Sequence, residues 1–213
     1  MALRILERLP RGARTRIRRW LGGGGRFLVV TGGPQLIRGA LAGYPRAIRE
    51  LCAGAHIRRH ADSAGGGFWP DSNDIWLAAG VETFESHRQV FRSACHELFH
   101  YVCWNHPVYK EDLERGFPAM LAAVREAQPL LGGFPAYNAW IKSFLTQGDH
   151  ANPVEYFADI PTNFRGTKEL PPPLAAYFGA LIDGTPLPDL RAGRDRPDPP
   201  LADFQRLLLP AVG

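Results

Sequence analysis

The stretch Ser86-His-Arg-Gln-Val-Phe-Arg-Ser-Ala-Cys-His-Glu-Leu-Phe-His-Tyr-Val-Cys-Trp104 constrains this chain more than any other. Ser86-x-x-Gln89 has the spacing of a capping box, in which two side chains satisfy the free N–H groups at a helix start, and it predicts a helix from Ser86 onward. Phe91, Cys95, Leu98 and Val102 recur at i, i+4, i+7 and i+11, one apolar stripe for a core. His96 and His100 fall on a neighbouring stripe, four residues apart, with Glu97 beside them. One helical turn between two imidazoles lets both nitrogens reach a single Zn²⁺ at about 2.0–2.1 Å. The Glu97 carboxylate then faces the metal's open position, where it can act as general base on water. With 7 His and 10 Glu in 213 residues, chance supplies an HExxH roughly 0.01 times per chain. Cys95 points about 100° away from His96 around the helix, so the core stripe accounts for it better than nucleophilic catalysis.

Two histidines leave a catalytic zinc one protein ligand short. The extension HExxHxxGxxH is absent, and His106 lies six residues past His100 and directly before Pro107, a helix-end position. Asn152-Pro-Val-Glu-Tyr-Phe-Ala-Asp159 offers more. Asn152 suits an N-cap, Pro153 the first helical position, and Glu155 the first turn. Glu155 reads either as a capping partner of Asn152 or as the third ligand. Asp159, four residues on along the same face, favours the ligand, because a carboxylate there can accept the second ring N–H of a zinc-bound His. Pro161 is expected to end this helix.

The rest of the chain sets a frame for these two helices. Phe27–Thr31, His56–Ala61 and Asp74–Ala79 read as strands, and Ala64–Trp69 as a turn. Pro45 precedes a helical pattern over 45–53, and from Ser86 to about residue 183 the pattern stays mostly helical. Strands first and helices after imply an α+β fold with a small N-terminal mixed sheet. We divide the chain into a basic arm with a Gly linker (1–25), a central domain (26–184) and a Pro/Arg-rich tail (185–213) whose apolar part is Phe204 to Leu209. Three cysteines, Cys52, Cys95 and Cys103, without CxxC spacing read as free thiols in a reducing compartment.

HELFH followed by EYFAD resembles the gluzincin metallopeptidases, in which a downstream glutamate helix completes the zinc site. Within that clan, Asn152 to Asp159 and the upstream Gly65-Gly-Gly-Phe-Trp-Pro…Asn73-Asp-Ile-Trp-Leu77 resemble the anthrax lethal factor catalytic domain, the Pro-Pro endopeptidases and the Mlc titration factor peptidases. The likeness spans about residues 56–165. It implies a zincin-like fold, His96, His100 and Glu155 as metal ligands, Glu97 as base and Asp159 as support for a histidine. It also implies that the strand at 74–79 is an edge strand whose Ile75, Trp76 and Leu77 hold substrate as an added strand. These relatives carry a Tyr shortly before the glutamate that helps stabilise the oxyanion. Here that stretch is Thr146-Gln-Gly-Asp-His150, so His150, Tyr137 and Tyr156 are the candidates for its role.

The expected activity is zinc-dependent hydrolysis of a peptide or protein, endopeptidase rather than aminopeptidase, in housekeeping processing or as a toxin-like effector. The missing Tyr keeps a second reading open, an inactive zinc-binding regulatory or adaptor domain. Residues 1–60 hold thirteen Arg and no Lys against Glu7 and Glu50, a charge of +11, which leaves −7 for the remainder of a chain of net charge +4. Such a basic end suits an anionic membrane surface or an acidic partner. Little aromatic interleaving beyond Trp20 argues against nucleic acid. No run nears the ~20 apolar residues of a membrane span, and the N-terminus lacks a Sec-type apolar core, which implies a cytoplasmic protein or one exported by another route.

Overall fold

The computed structural model describes residues 33–60, 66–78, 84–190 and 204–209. The basic arm, the strand expected at 27–31, Gly65 and Ala79 lie outside them. In chain order the elements are α1 (Gly33–Ala40), α2 (Arg46–Cys52), β1 (His56–His60), β2 (Gly66–Trp69), β3 (Asp74–Ala78), α3 (Phe84–Asn105), α4 (Pro107–Glu114), α5 (Pro118–Ala127), α6 (Pro135–Leu145), α7 (Pro153–Asn163), α8 (Pro172–Ile182) and α9 (Phe204–Leu208), with short 3₁₀ turns between some helices. This is an α+β fold with a small mixed sheet ahead of a helical half. α1 adds a helix that the sequence pattern above does not include; Leu36, Ile37, Ala40 and Leu41 have helical spacing and all four are buried.

The sheet corrects two expectations. Its order is β1-β3-β2, with β1 parallel and β2 antiparallel to β3. Asp74–Ala78 is therefore the middle strand, hydrogen-bonded on both sides, and cannot accept an added strand. Ile75 and Leu77 point into the core at 0% and 1% exposure, so they are unavailable to a substrate. The residues read as a turn, up to Trp69, instead form β2 from Gly66 onward. Glycines in a strand often mark close approach rather than a bend, and both Gly66 and Gly67 sit against neighbouring side chains.

α3 starts two residues before the expected Ser86 and runs for 22 residues. Cys95, Leu98 and Val102 are fully buried and Phe91 half-buried, as the stripe predicts. Ala94, Phe99 and Cys103 are also fully buried, so the helix is sheathed on several sides. The sheet lies on one side of α3 and α7 packs along another. Behind them Asp112 ties the helical half together: its carboxylate accepts from the backbone N–H groups of Ala119 and Met120 at the start of α5 and from the Tyr177 hydroxyl on α8. The boundary expected at residue 184 is not a boundary of the core, because Phe204 and Leu208 of α9 are buried in it. Phe204 meets Tyr156 of α7 edge-on at 5.5 Å. All three cysteines are free and buried. Among the described residues no helix is long and apolar enough to cross a membrane.

Candidate metal centre

His96 and His100 project from α3 toward the first turn of α7, where Glu155 waits. Asn152 caps α7 as its sequence predicts: its side-chain oxygen accepts from the N–H groups of Val154 and Glu155 at 3.0 and 3.1 Å. That cap fixes the turn from which Glu155 reaches across. Nε2 of His96 lies 3.0 Å from Nε2 of His100 and 3.0 Å from Oε2 of Glu155. Nε2 of His100 lies 3.5 Å from Oε1 of Glu155. Three donors held 2.0–2.1 Å from one centre at tetrahedral angles stand about 3.3–3.4 Å apart, and these separations come within about 0.4 Å of that spacing. Two imidazole nitrogens and a carboxylate oxygen also form a donor set that suits zinc. Among the described residues these three are the group of His, Cys, Asp and Glu side chains close enough to hold a metal ion.

Asp159 occupies the position that its i+4 spacing from Glu155 predicts. Its Oδ1 lies 2.9 Å from Nδ1 of His96, which turns Nε2 of the same ring toward the Glu155 carboxylate. A further link was not foreseen. Arg92, one turn before His96, donates to Oδ1 of Asn163 at 2.6 Å, and Asn163 donates to the backbone carbonyl of Asp159 at 2.7 Å. The i−4 and i+4 spacings of Arg92 and Asn163 from His96 and Asp159 were the available signal. A buried contact closes the same seam from below, where the Cys95 thiol donates to Tyr44 Oη at 3.3 Å and Tyr44 donates to the carbonyl of Pro161 at 2.6 Å. Burial pushes the Cys95 thiol above its ordinary pKa, which fits a packing role.

Electrostatics follow from this geometry. Burial by itself would lower the pKa of His96, but hydrogen bonds to Asp159 and Glu155 outweigh it and push the ring up to about 10. Burial would raise Glu155, yet hydrogen bonds from His100 and His96 hold it well below the usual carboxylate range. Glu97 is 7% exposed, and burial raises its pKa against the opposing pull of His96 and His100. A carboxyl raised in this way is a better proton acceptor than an exposed glutamate.

The remaining sequence candidates have contacts of their own. His106 caps α4 and its ring packs on Tyr109 at 5.0 Å. His150 is exposed in the turn Gly148–His150, where its hydrogen bonds come from the backbone. Tyr137 and Tyr156 are buried at 1% and 0% exposure and spend their hydroxyls on each other at 2.6 Å. They do not serve as oxyanion donors. Trp76 is half-buried and, by register opposite Gly67, lies on the sheet face turned away from α3. Comparison with protein-family models, curated proteins and solved structures finds no match for the chain. The residues themselves carry the functional reading.

Proposed function

We propose that this protein is a zinc-dependent peptidase of gluzincin type, most simply an endopeptidase. The observation that carries the reading is the convergence of three donors from two helices at close to tetrahedral spacing, with Glu97 next to them and Asp159 behind His96. His96, His100 and Glu155 would hold the ion. A zinc ion in such a site polarises the scissile carbonyl and lowers the pKa of water toward ~7. Glu97 takes the proton of the attacking water and returns it to the leaving amine as the C–N bond breaks. Asp159 keeps the Nδ1 proton on His96, and burial of Glu97 and His100 keeps bulk water from competing. The strand that borders Glu97 is β2, at an edge of the described sheet, so an extended peptide would add to β2 rather than to β3.

Glu97→Gln tests this directly. The variant should bind zinc as the wild type does while peptide hydrolysis falls about 10²–10⁴-fold, the share a positioned base contributes. Equal hydrolysis by the variant would remove Glu97 from the mechanism. One observation supports a second reading, a zinc-binding regulatory domain: the two tyrosines available as oxyanion donors are buried against each other. In that case the wild type binds zinc and cleaves nothing.

A further inference from the structure

Among the described residues Glu97 feels the charges of His96 and His100 without a hydrogen bond to fix its carboxylate, so packing bears on where that carboxylate stands. Its neighbour is the first residue of β2. A Cβ added to Gly66 would lie 3.0 Å from Oε1 and 3.1 Å from Cγ of Glu97, and 2.8 Å from Cδ2 of Leu77. Carbon atoms at ease sit about 3.5–4.0 Å apart, so Leu77 must shift and Glu97 must give by a few tenths of an ångström. Gly66 cannot simply retreat, because it is paired with Leu77 across the ladder and Phe68, two residues on, packs on Tyr101 of α3. Gly67 is a contrast: an added Cβ there would strike the Trp76 indole on the opposite face, 2.5 Å from its nitrogen.

We propose that Gly66 is a positioning residue for Glu97: the bare backbone of β2 is the wall against which the carboxylate rests, and a side chain at this position displaces it from the His96–His100–Glu155 group. This rests on the reading of Glu97 as general base. The wall acts on the carboxylate and leaves the three metal donors untouched, so it separates catalysis from metal binding. It also accounts for a glycine at position 66 in a stretch that forms strand rather than turn.

Zinc content, kcat and KM on a library-selected peptide, and crystal structures would be compared for wild type, Gly66→Ala, Glu97→Ala and the double variant. Gly66→Ala should keep one zinc per chain and lose about tenfold in kcat with KM within about threefold, a fraction of the ~10²-fold that a full 1 Å misplacement can cost. In the Glu97→Ala background, measured on the residual turnover, the same change should cost less than about threefold, because neither Cγ nor Oε1 is there for the new methyl to meet. Leu77→Val, which relieves the other overlap, should not restore Gly66→Ala; it also supplies a folded background if Gly66→Ala alone does not fold. Equal losses in both Glu97 backgrounds, or recovery through Leu77→Val, would overturn the proposal. If the wild type cleaves nothing, the peptidase reading fails separately and the crystal structures decide: Glu97 Oε1 shifted by a few tenths of an ångström or more in Gly66→Ala sustains the proposal, and an unmoved carboxylate beside a shifted strand refutes it.

Discussion

His96 stands between two carboxylates that act on opposite edges of its ring. Asp159 holds Nδ1, and Glu155 faces Nε2. Asp159→Ala should therefore weaken zinc affinity or activity about 10–100-fold without unfolding the chain, the loss typical of removing a group that orients a ligand histidine. A competition titration with a zinc chelator measures it, and unchanged affinity and rate would reduce Asp159 to a packing residue. The same contacts give the metal-free protein a pH signature. His96 is raised from about 6.5 to about 10, so its stabilising share is complete below pH 6.5 and is lost as pH climbs toward 10. Glu155 is depressed, so its share is present above its unfolded pKa of about 4.3 and is lost as pH falls below that value. After chelation the melting temperature should fall between pH 7 and pH 10. Zinc affinity should move the other way and rise with pH, because a proton on His96 competes with the ion. Thermal melts of the chelated protein that stay level over this window would show that His96 is not held by its carboxylates.

At the level of elements, α3 and α7 form the site as a pair, and each was legible for a local reason. The i, i+4 histidines, the apolar stripe and the Asn152-Pro153 cap are all written within one helical turn or two. What failed depended on partners far away in sequence. The order β1-β3-β2 is a pairing choice between strands that no local pattern encodes, so the sequence of Asp74–Ala78 does not distinguish a middle strand from an edge. Gly66 and Gly67 carry the composition of a turn, and only the packing of Glu97, Leu77 and Trp76 against them explains a strand. Pro161 does not end α7, which continues to Asn163. Proline's fixed φ is helical, and this late in the helix it forfeits one backbone hydrogen bond without forcing the chain out. Because the cap sets the turn that bears Glu155, Asn152→Ala should cost about 1 kcal/mol of stability and weaken zinc binding as well, whereas Asn152→Asp should retain both. Lower stability with unaltered zinc affinity would show that α7 is placed by packing against α3 rather than by its cap.

Across the whole molecule, one core joins a three-stranded sheet, the histidine helix and a helical half that reaches as far as Leu208. The tail was harder to read than the site, because a five-residue apolar stretch after a Pro/Arg-rich segment has no local signal for where it docks. Phe204 against Tyr156, and Gln205 donating to the carbonyls of Gly148 and Ala151, link that stretch to the loop that leads into α7. The His96–His100–Glu155 group thus rests on two helices packed in that core, and Gln205 ties α9 to the loop ahead of Glu155. Hydrolysis of a peptide library, followed as zinc is added back to chelated protein, bears most directly on the proposed activity. Cleavage should be absent after chelation, rise in proportion to added zinc and level off at about one equivalent per chain. Cleavage that persists without zinc, or a protein loaded with one zinc that cleaves no peptide, would contradict it.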